Sequence, residues 1–388
     1  MTNETRLTTR FIDGTAREFT IRGSGGLVPL DGKPRRRRVY SAAHVVAEPL
    51  GASRGAGAVD WSATMAIRHR LWDLGLGVAE SMDTAQRGMG LSAEQALRLG
   101  EATVREAAAR GAEAVVGVTT DGLDSSAADL RELADAYIAQ LRRIESAGGR
   151  VVLMASRQLA VAASSREEYL RVYGDVIARS ERGVVLHWLG EMFDPALRGY
   201  WGAADAEAAA ETVLELIHAH ADRIDGIKLS LLDEELEVGL RRRLPAGVRL
   251  YTGDDYHYAD LIAGDEEGHS DALLGAFAAV PRHASAAFAA LDAGDVEGFR
   301  EILGPTQALA RLVFEAPTMY YKTGVAWLAY LNGWQEHFRM LDGFEAGRSI
   351  AHLVDVLALA GELGVFDDPE ATAARAAAYL RGVGVAIG

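Results

Sequence analysis

The chain has 388 residues, with 40 basic side chains, 55 acidic side chains, a formal net charge of −15 at pH 7 and no cysteine. These numbers exclude disulfide frameworks, cysteine-ligated metal sites and cysteine nucleophiles, and they disfavour non-specific nucleic-acid binding. Hydrophobic residues make up 49% of the chain, which is enough for a large buried core.

The cellular location is predicted from what the sequence lacks. There is no run of about 18 apolar residues, so we expect no membrane span. Residues 1–10 are polar and lack the apolar core of a signal peptide. We therefore expect a cytoplasmic protein with no membrane partner and no nucleic-acid partner.

Short apolar runs alternate with helical patterns through the middle of the chain. Most runs are apolar at successive positions, which is typical of strands covered on both faces. The predicted strands lie at residues 39–46, 76–79, 114–118, 151–155, 184–188, 226–231, 248–251 and 272–280. Helix starts lie between them, with Ser92 as an N-cap followed by Gln95, and Ser125 or Ser126 before the helix that carries Leu130.

This alternation over residues 39–283 predicts a (β/α)8 TIM barrel, a fold that takes about 250 residues. A doubly wound open sheet is the alternative, but the phosphate-binding glycine motifs of that class are missing. Residues 1–38 are predicted to form an N-terminal extension and residues 284–388 a C-terminal helical region. The predicted helices of that region span 284–303, 305–314, 318–341, 350–363 and 369–382. Its aromatic side chains are expected in the core or at a subunit interface.

The basic residues are divided very unevenly, because only Lys33, Lys228 and Lys322 are lysines and the other 37 are arginines. Only lysine has an amine that can become neutral and nucleophilic, so a lysine in an apolar stretch raises a chemical question. Lys33 is expected to be exposed and Lys322 to be structural. The arginines at 35–38 are interpreted as a solvated lead-in to the first barrel strand rather than a track for phosphates.

Lys228 lies inside the apolar strand predicted at residues 226–231. An isolated buried ammonium is costly, so the group should pair with a carboxylate or lose its proton. A lowered pKa supplies the free amine that forms a Schiff base with a carbonyl. The alternative is a lysine that pairs with Glu80 or Asp254 and only braces the barrel.

Other candidate residues lie where predicted strands end, since TIM-barrel active sites form at the C-terminal ends of the strands. His187 is the candidate general acid and base, because an ordinary histidine pKa of about 6.5 suits proton transfer near neutrality. A core histidine bonded to a carbonyl is the alternative. The candidate substrate-binding residues are Glu80, Asp83, Thr84, Arg157, Gly253, Asp254 and Asp255.

Several of these segments resemble the dihydrodipicolinate synthase / N-acetylneuraminate lyase family. The sequence Gly-Ile-Lys-Leu-Ser at 226–230 resembles that family's Schiff-base strand, and Tyr-Thr-Gly-Asp-Asp at 251–255 resembles its following Ser-Gly-Asp-Asp strand end. Leu-Ser-Ala-Glu at 91–94 is similar to a helix start of the family. The resemblance covers roughly residues 39–340 and implies a class I aldolase-type barrel in a homo-oligomer, a dimer or tetramer.

The chain departs from that family at three places in the site. His187 stands where the family has a proton-relaying tyrosine, and Arg157 lies near the position of its paired tyrosines. Residues 81–85 replace a Gly-Thr-Thr-Gly-Glu loop that holds the substrate carboxylate, and Asp83 in that loop would repel such a group. We therefore expect a divergent member that acts on a small carbonyl or sugar-derived compound other than simple pyruvate.

Three functions remain as hypotheses. The first is a Schiff-base lyase, aldolase or dehydratase without a cofactor, in which Lys228 attacks the carbonyl, His187 moves the proton and the carboxylates with Arg157 position the substrate. The second is a metal-dependent isomerase or epimerase that uses Mg²⁺, Mn²⁺ or Zn²⁺. Its ligands would come from Glu48, Glu80, His187, Asp254 and His257. The third is a non-catalytic, ligand-binding relative.

Overall fold

The fold is a closed barrel of eight parallel strands with helices around it, so the predicted (β/α)8 barrel is confirmed. The computed structural model describes residues 4–10, 14–51, 58–123 and 128–388. Each barrel strand pairs with its neighbour in the chain, and the last strand closes the ring on the first. The barrel strands are β3 (Val39–Ala42), β4 (Gly77–Glu80), β5 (Ala114–Val118), β6 (Arg150–Leu153), β7 (Val184–Leu189), β8 (Ile224–Ser230), β9 (Arg249–Thr252) and β10 (Asp271–Leu274).

Helices follow the strands, as the alternation predicts. Ser92 caps the helix Ala93–Arg110 and forms a capping box with Gln95, as expected. Asp129 caps the helix Leu130–Ser146, whereas Ser125 and Ser126, the caps predicted for it, lie outside the described residues. The helices that follow strands β3 to β9 are α1 (Trp61–Asp73), α2 (Ala93–Arg110), α3 (Leu130–Ser146), α4 (Arg157–Ala162), α5 (Arg166–Ile177), α6 (Ala206–Ala219), α7 (Glu234–Arg241) and α8 (Tyr258–Ala263).

The last predicted strand and the C-terminal helices differ in their bounds. Residues 276–279 turn into a helix instead of extending β10, and the helix predicted over 284–303 breaks at Gly294, which has a φ of 89°. Asp295 then caps the next helix. The helices of this region are α9 (Ala276–Ala279), α10 (Pro281–Asp292), α11 (Val296–Leu303), α12 (Thr306–Val313), α13 (Tyr321–Leu331), α14 (Ile350–Glu362) and α15 (Pro369–Gly382).

The N-terminal extension carries a hairpin that the sequence patterns do not predict. Strands β1 (Glu4–Arg10) and β2 (Ala16–Arg22) pair antiparallel, and β11 (Ala386–Ile387) pairs with β1. Leu7, Phe19 and Ile21 bury one face of this small sheet, which packs on α14 and α15. Among the described helices, none combines the length and apolar character that a bilayer span requires.

The barrel interior positions the site. Its packed layer consists of Tyr40, Ala42, Ala79, Met82, Val115, Val152, Met154, Val185, Tyr251 and Leu273. Side chains alternate across a strand, so His187, two residues after Val185, continues along the inner face of β7. Its direct neighbour on β8 is Lys228, and Lys228 in turn pairs with Tyr251 on β9. Both candidate catalytic residues therefore stand inside the barrel towards its C-terminal end.

Candidate functional site at the C-terminal end of the barrel

Lys228 is buried inside the barrel, with 7% of its surface exposed. Among the described residues, its Nζ has no hydrogen bond and no carboxylate within 4.0 Å. Gly253, the residue after β9, makes room for the lysine stem, because a Cβ there would lie 2.6 Å from Lys228 Cε and 2.2 Å from Ser230 Oγ. The lack of a side chain at Gly253 therefore leaves the space that the stem of Lys228 occupies.

The charge on Lys228 is controlled by burial and by two carboxylates. Burial lowers the pKa of Lys228, while the negative charges of Asp83 and Asp255 act in the opposite direction. Burial also raises the pKa of Asp255 to about 7, with Lys228 opposing that rise. Asp255 Oδ1 accepts the Ala276 N–H at 2.9 Å, which fixes the carboxyl group. Burial thus favours the uncharged form of both the Lys228 amine and the Asp255 carboxyl group.

His187 is fully buried beside Lys228 and is held in its neutral form. Burial and the neighbouring Lys228 charge keep the pKa of His187 well below its ordinary value. Its Nε2 lies 3.3 Å from Ser230 Oγ, whereas its Nδ1 is buried without a partner among the described residues. The side chain is where the sequence predicts it, but burial removes the titration near pH 6.5 on which its predicted role depended.

The loop after β4 meets α13 at the same end of the barrel. Thr84 Oγ1 and Tyr321 OH lie 2.7 Å apart, and the Tyr321 ring stacks on Phe314 with centroids 4.3 Å apart. Burial raises the pKa of Tyr321, and the charges of Asp83 and Asp255 raise it further. A phenol from the C-terminal helical region therefore lies in the electrostatic field of the site carboxylates. The patterns used to find site residues do not single out Tyr321.

Lys322, the second buried lysine, also lies against this loop. Its Nζ donates to Met319 O at 3.0 Å, contacts Met89 Sδ at 3.3 Å and lies 4.9 Å from the centre of the Tyr321 ring. Burial lowers the pKa of Lys322 to about 8, and Asp83 opposes that shift. The negative charge of Asp83 therefore acts on both buried lysines.

Glu80 does not join this group, because it projects from the outer face of β4. Arg68 on α1 binds it through two hydrogen bonds of 2.8 Å, and both side chains are fully buried. Thr103 Oγ1 on α2 and the Ser81 N–H donate to the same carboxylate at 2.7 Å. The bonds from Arg68 and Thr103 thus join the barrel to α1 and α2, and the bond from Ser81 holds the turn after β4.

Two further predicted residues are held by neighbours at the margin of the site. Asp254 accepts the N–H groups of Tyr256 and His257 and lies 2.9 Å from His257 Nδ1, so it braces the loop after β9. Arg157 Nε donates to Asp194 at 2.5 Å, and its charge also lowers the pKa of Lys322. Arg157 therefore lies near the second buried lysine.

The ligands predicted for a metal do not converge. Glu48 accepts the Leu50 N–H at 3.3 Å in a turn after β3, Glu80 binds Arg68, and Asp254 pairs with His257. Across the described residues, no group of three or more His, Asp or Glu side chains is placed to bind one ion. The metal-dependent hypothesis gains no support from this geometry.

Comparison with known proteins gives a family and a fold. A family model described as "Protein of unknown function (DUF993)" matches residues 7–385. The chain belongs to this family. No significant match to a curated protein is found.

Solved structures of three dihydrodipicolinate synthases have a similar fold, each with a TM-score of 0.63. The enzyme from Oceanobacillus iheyensis is 15% identical, over 84% of this chain and 96% of its own. The enzyme from Thermotoga maritima is 15% identical, over 86% of this chain and 100% of its own. The enzyme from Aquifex aeolicus is 14% identical, over 85% of this chain and 98% of its own. This DUF993 chain therefore shares their barrel architecture.

Proposed function

We propose that the chain is a Schiff-base lyase in which Lys228 forms the imine. The observation that carries this proposal is the buried amine on the inner face of β8, with its pKa lowered and a carboxyl group of pKa about 7 acting on it. A neutral amine is the nucleophile that carbonyl condensation needs. The fold shared with dihydrodipicolinate synthases adds support by analogy.

The proposed reaction starts when the neutral Lys228 amine adds to the substrate carbonyl carbon. The carbonyl oxygen takes up protons and leaves as water, and an iminium ion remains. That ion accepts the electron pair from a breaking carbon–carbon bond or assists loss of a β-leaving group. Asp255 can deliver and recover a proton because its pKa lies near neutrality.

The other residues around Lys228 have supporting roles in this proposal. Neutral His187 stands next to the amine and offers ring nitrogens for hydrogen bonding to the carbinolamine. Asp83 and Thr84 come from the loop after β4, and Arg157 stands at the margin. This mixture of polar groups suits a small polyhydroxy or sugar-derived carbonyl compound better than simple pyruvate.

Reductive trapping tests the proposal. The purified protein is incubated with sodium borohydride and dihydroxyacetone, glyceraldehyde or pyruvate, and the adduct is located by peptide mass analysis. We expect an adduct on Lys228 that Lys228→Met abolishes, whereas the matched variant Lys33→Met retains it. A carbonyl compound that binds in calorimetry and forms no adduct on Lys228 would refute the proposal.

A further inference from the structure

A basic groove lies at the opposite end of the barrel from Lys228. It has a volume of about 480 Å³ and is lined by the lead-in to β3, the turn between α1 and β4, and the turn between α2 and β5. Val39, Gly77 and Arg249, which line it, are each the first residue of a barrel strand. The groove is therefore separate from the site at the C-terminal ends of the strands.

The groove has the opposite charge to the chain as a whole. Its lining residues include seven basic and only two acidic ones, although the whole chain carries −15. The basic residues are Lys33, the arginines at 35–38, Arg110 and Arg249. Asp73 and Glu113 are the acidic residues. This local excess of cations favours an anionic ligand.

The backbone of the arginine run is held in place by two carboxylates. Asp292 accepts the N–H groups of Arg35 and Arg36 at 2.8 and 2.9 Å, and Asp271 accepts the Arg38 N–H at 2.7 Å. The guanidinium of Arg37 bonds instead to backbone carbonyls of α8. The run is thus a fixed segment whose remaining guanidinium groups border the groove.

These guanidinium groups are weakly engaged within the protein. The Arg35–Asp292 and Arg38–Asp225 pairs span 3.6 and 3.7 Å. They are longer than the Arg110–Asp73 and Arg249–Asp271 pairs of the same groove, which span 2.6 and 2.8 Å. Arg36 has no side-chain hydrogen bond or ion pair among the described residues. Arg36 is therefore free to bind a ligand, and Arg35 and Arg38 would give up only long ion pairs to do so.

We propose that this groove binds a small molecule that carries two or more phosphate groups. Arginine forks match the geometry of phosphate oxygens, and several forks around one concave surface select a polyanion over a single charge. Phosphates carried on a nucleotide and free pyrophosphate share this chemistry. The site is independent of the Schiff-base proposal, because none of its lining residues belongs to the site around Lys228.

Isothermal titration with pyrophosphate tests the site, with adenosine diphosphate and citrate as parallel probes. We expect submillimolar binding of pyrophosphate that weakens as salt is raised, and about tenfold weaker binding in Arg36→Ala. The loss of one charge-assisted contact produces a change of that size. Tighter binding of the nucleotide would identify a nucleotide as the source of the phosphates, and equal citrate binding would overturn the preference for phosphate.

Two control variants complete the experiment. Arg198→Ala removes an exposed arginine that does not line the groove and pairs with Glu191 at a distance of 2.7 Å. This variant should bind pyrophosphate as the wild type does. Lys228→Met should also bind normally, which separates this test from the lyase proposal. Either no heat of binding up to 10 mM or a loss of less than threefold in Arg36→Ala overturns the proposal, and a loss of threefold or more supports it. An equal loss in Arg198→Ala would also overturn it.

Discussion

Removing one partner of the Arg68–Glu80 pair should destabilise the fold without altering the Lys228 amine. Glu80→Gln keeps the size of the side chain but leaves the Arg68 guanidinium fully buried without a counter-charge. Breaking such a pair by changing one partner costs about 3–5 kcal/mol. An unfolding entropy of about 2.1 cal/mol/K per residue gives a fall in Tm of roughly 4–6 °C for a chain of this length.

The double variant Arg68→Met/Glu80→Leu distinguishes an ion pair from two independent contributions. Replacing both charges by apolar groups removes the unpaired charge, so the double variant should lose less stability than the single variants Arg68→Met and Glu80→Leu together. Some loss remains, because Thr103, the Ser81 N–H and the carbonyls of Thr64 and His44 also lose their partners. Each of those groups costs about 1–3 kcal/mol if it stays buried without a partner.

Urea unfolding followed by circular dichroism measures the free energy of unfolding. Borohydride trapping, at a temperature where the variant is folded, measures the reactivity of the Lys228 amine. The structural role of Glu80 requires a large loss of stability together with normal trapping on Lys228. A Glu80→Gln protein of wild-type stability that no longer traps the carbonyl compound would refute the reasoning. In that case Glu80 would contact the substrate, as the sequence analysis predicts.

Three further predictions concern the interior. Asp255→Asn removes a charge that raises the pKa of Lys228, so amine labelling should reach half its maximum at a lower pH, and a shift upward would contradict this. Burial raises the pKa of Glu237 from 4.5 to about 8, so folding favours its protonated form and the wild type loses stability as pH rises between those values. Glu237→Gln should lack that loss, which approaches about 1.4 kcal/mol per pH unit, in denaturation series between pH 5 and 9. Gly253→Ala should slow trapping at least about tenfold, because the new Cβ clashes with Lys228, and it should cost about 1–3 kcal/mol of stability. A wild-type trapping rate would contradict the placement of Gly253 against Lys228.

The barrel is predictable because strands covered on both faces have a simple signature. Successive apolar residues mark β5 and β7 almost to the residue, and the strand that carries Lys228 is predicted within two residues of its N-terminal end. Alternation along a strand then places Lys228 and His187 on one face. The burial of His187 depends on packing from several strands, so the residues next to it in the sequence do not reveal it. The loss of its ordinary titration follows from that burial.

The outward orientation of Glu80 could not be predicted from its position at the end of a strand. The rule that active-site residues follow barrel strands does not say which face the last residue occupies, and Glu80 is one position out of register with inward-facing Ala79. Ser81 then adopts a φ of 55°, so the alternation cannot be extended into the loop that carries Asp83. The different surroundings of Glu80 and Asp83 therefore depend on the three-dimensional course of that turn, which the sequence pattern does not show.

The contribution of α13 is hidden for a different reason. Every residue of α13 is buried, so the helix has no polar face from which its neighbours could be inferred. Its contact with the loop after β4 joins Thr84 to Tyr321 across 237 positions of sequence. The hairpin β1–β2 is missed because its strands are rich in charged and threonine residues, although Leu7, Phe19 and Ile21 alternate as a half-buried strand pair requires.

The three lysines also determine how the protein can be attached to a surface. Lys33 borders the basic groove and has 48% of its side chain exposed, whereas Lys228 and Lys322 are enclosed at the other end of the barrel. Apart from the chain's terminal amine, ester-activated sensor chips should therefore capture the molecule mainly through Lys33. The captured barrel would present the Lys228 end to the solution and bury the groove against the matrix. Polyanion binding should then be measured on protein held through a C-terminal tag.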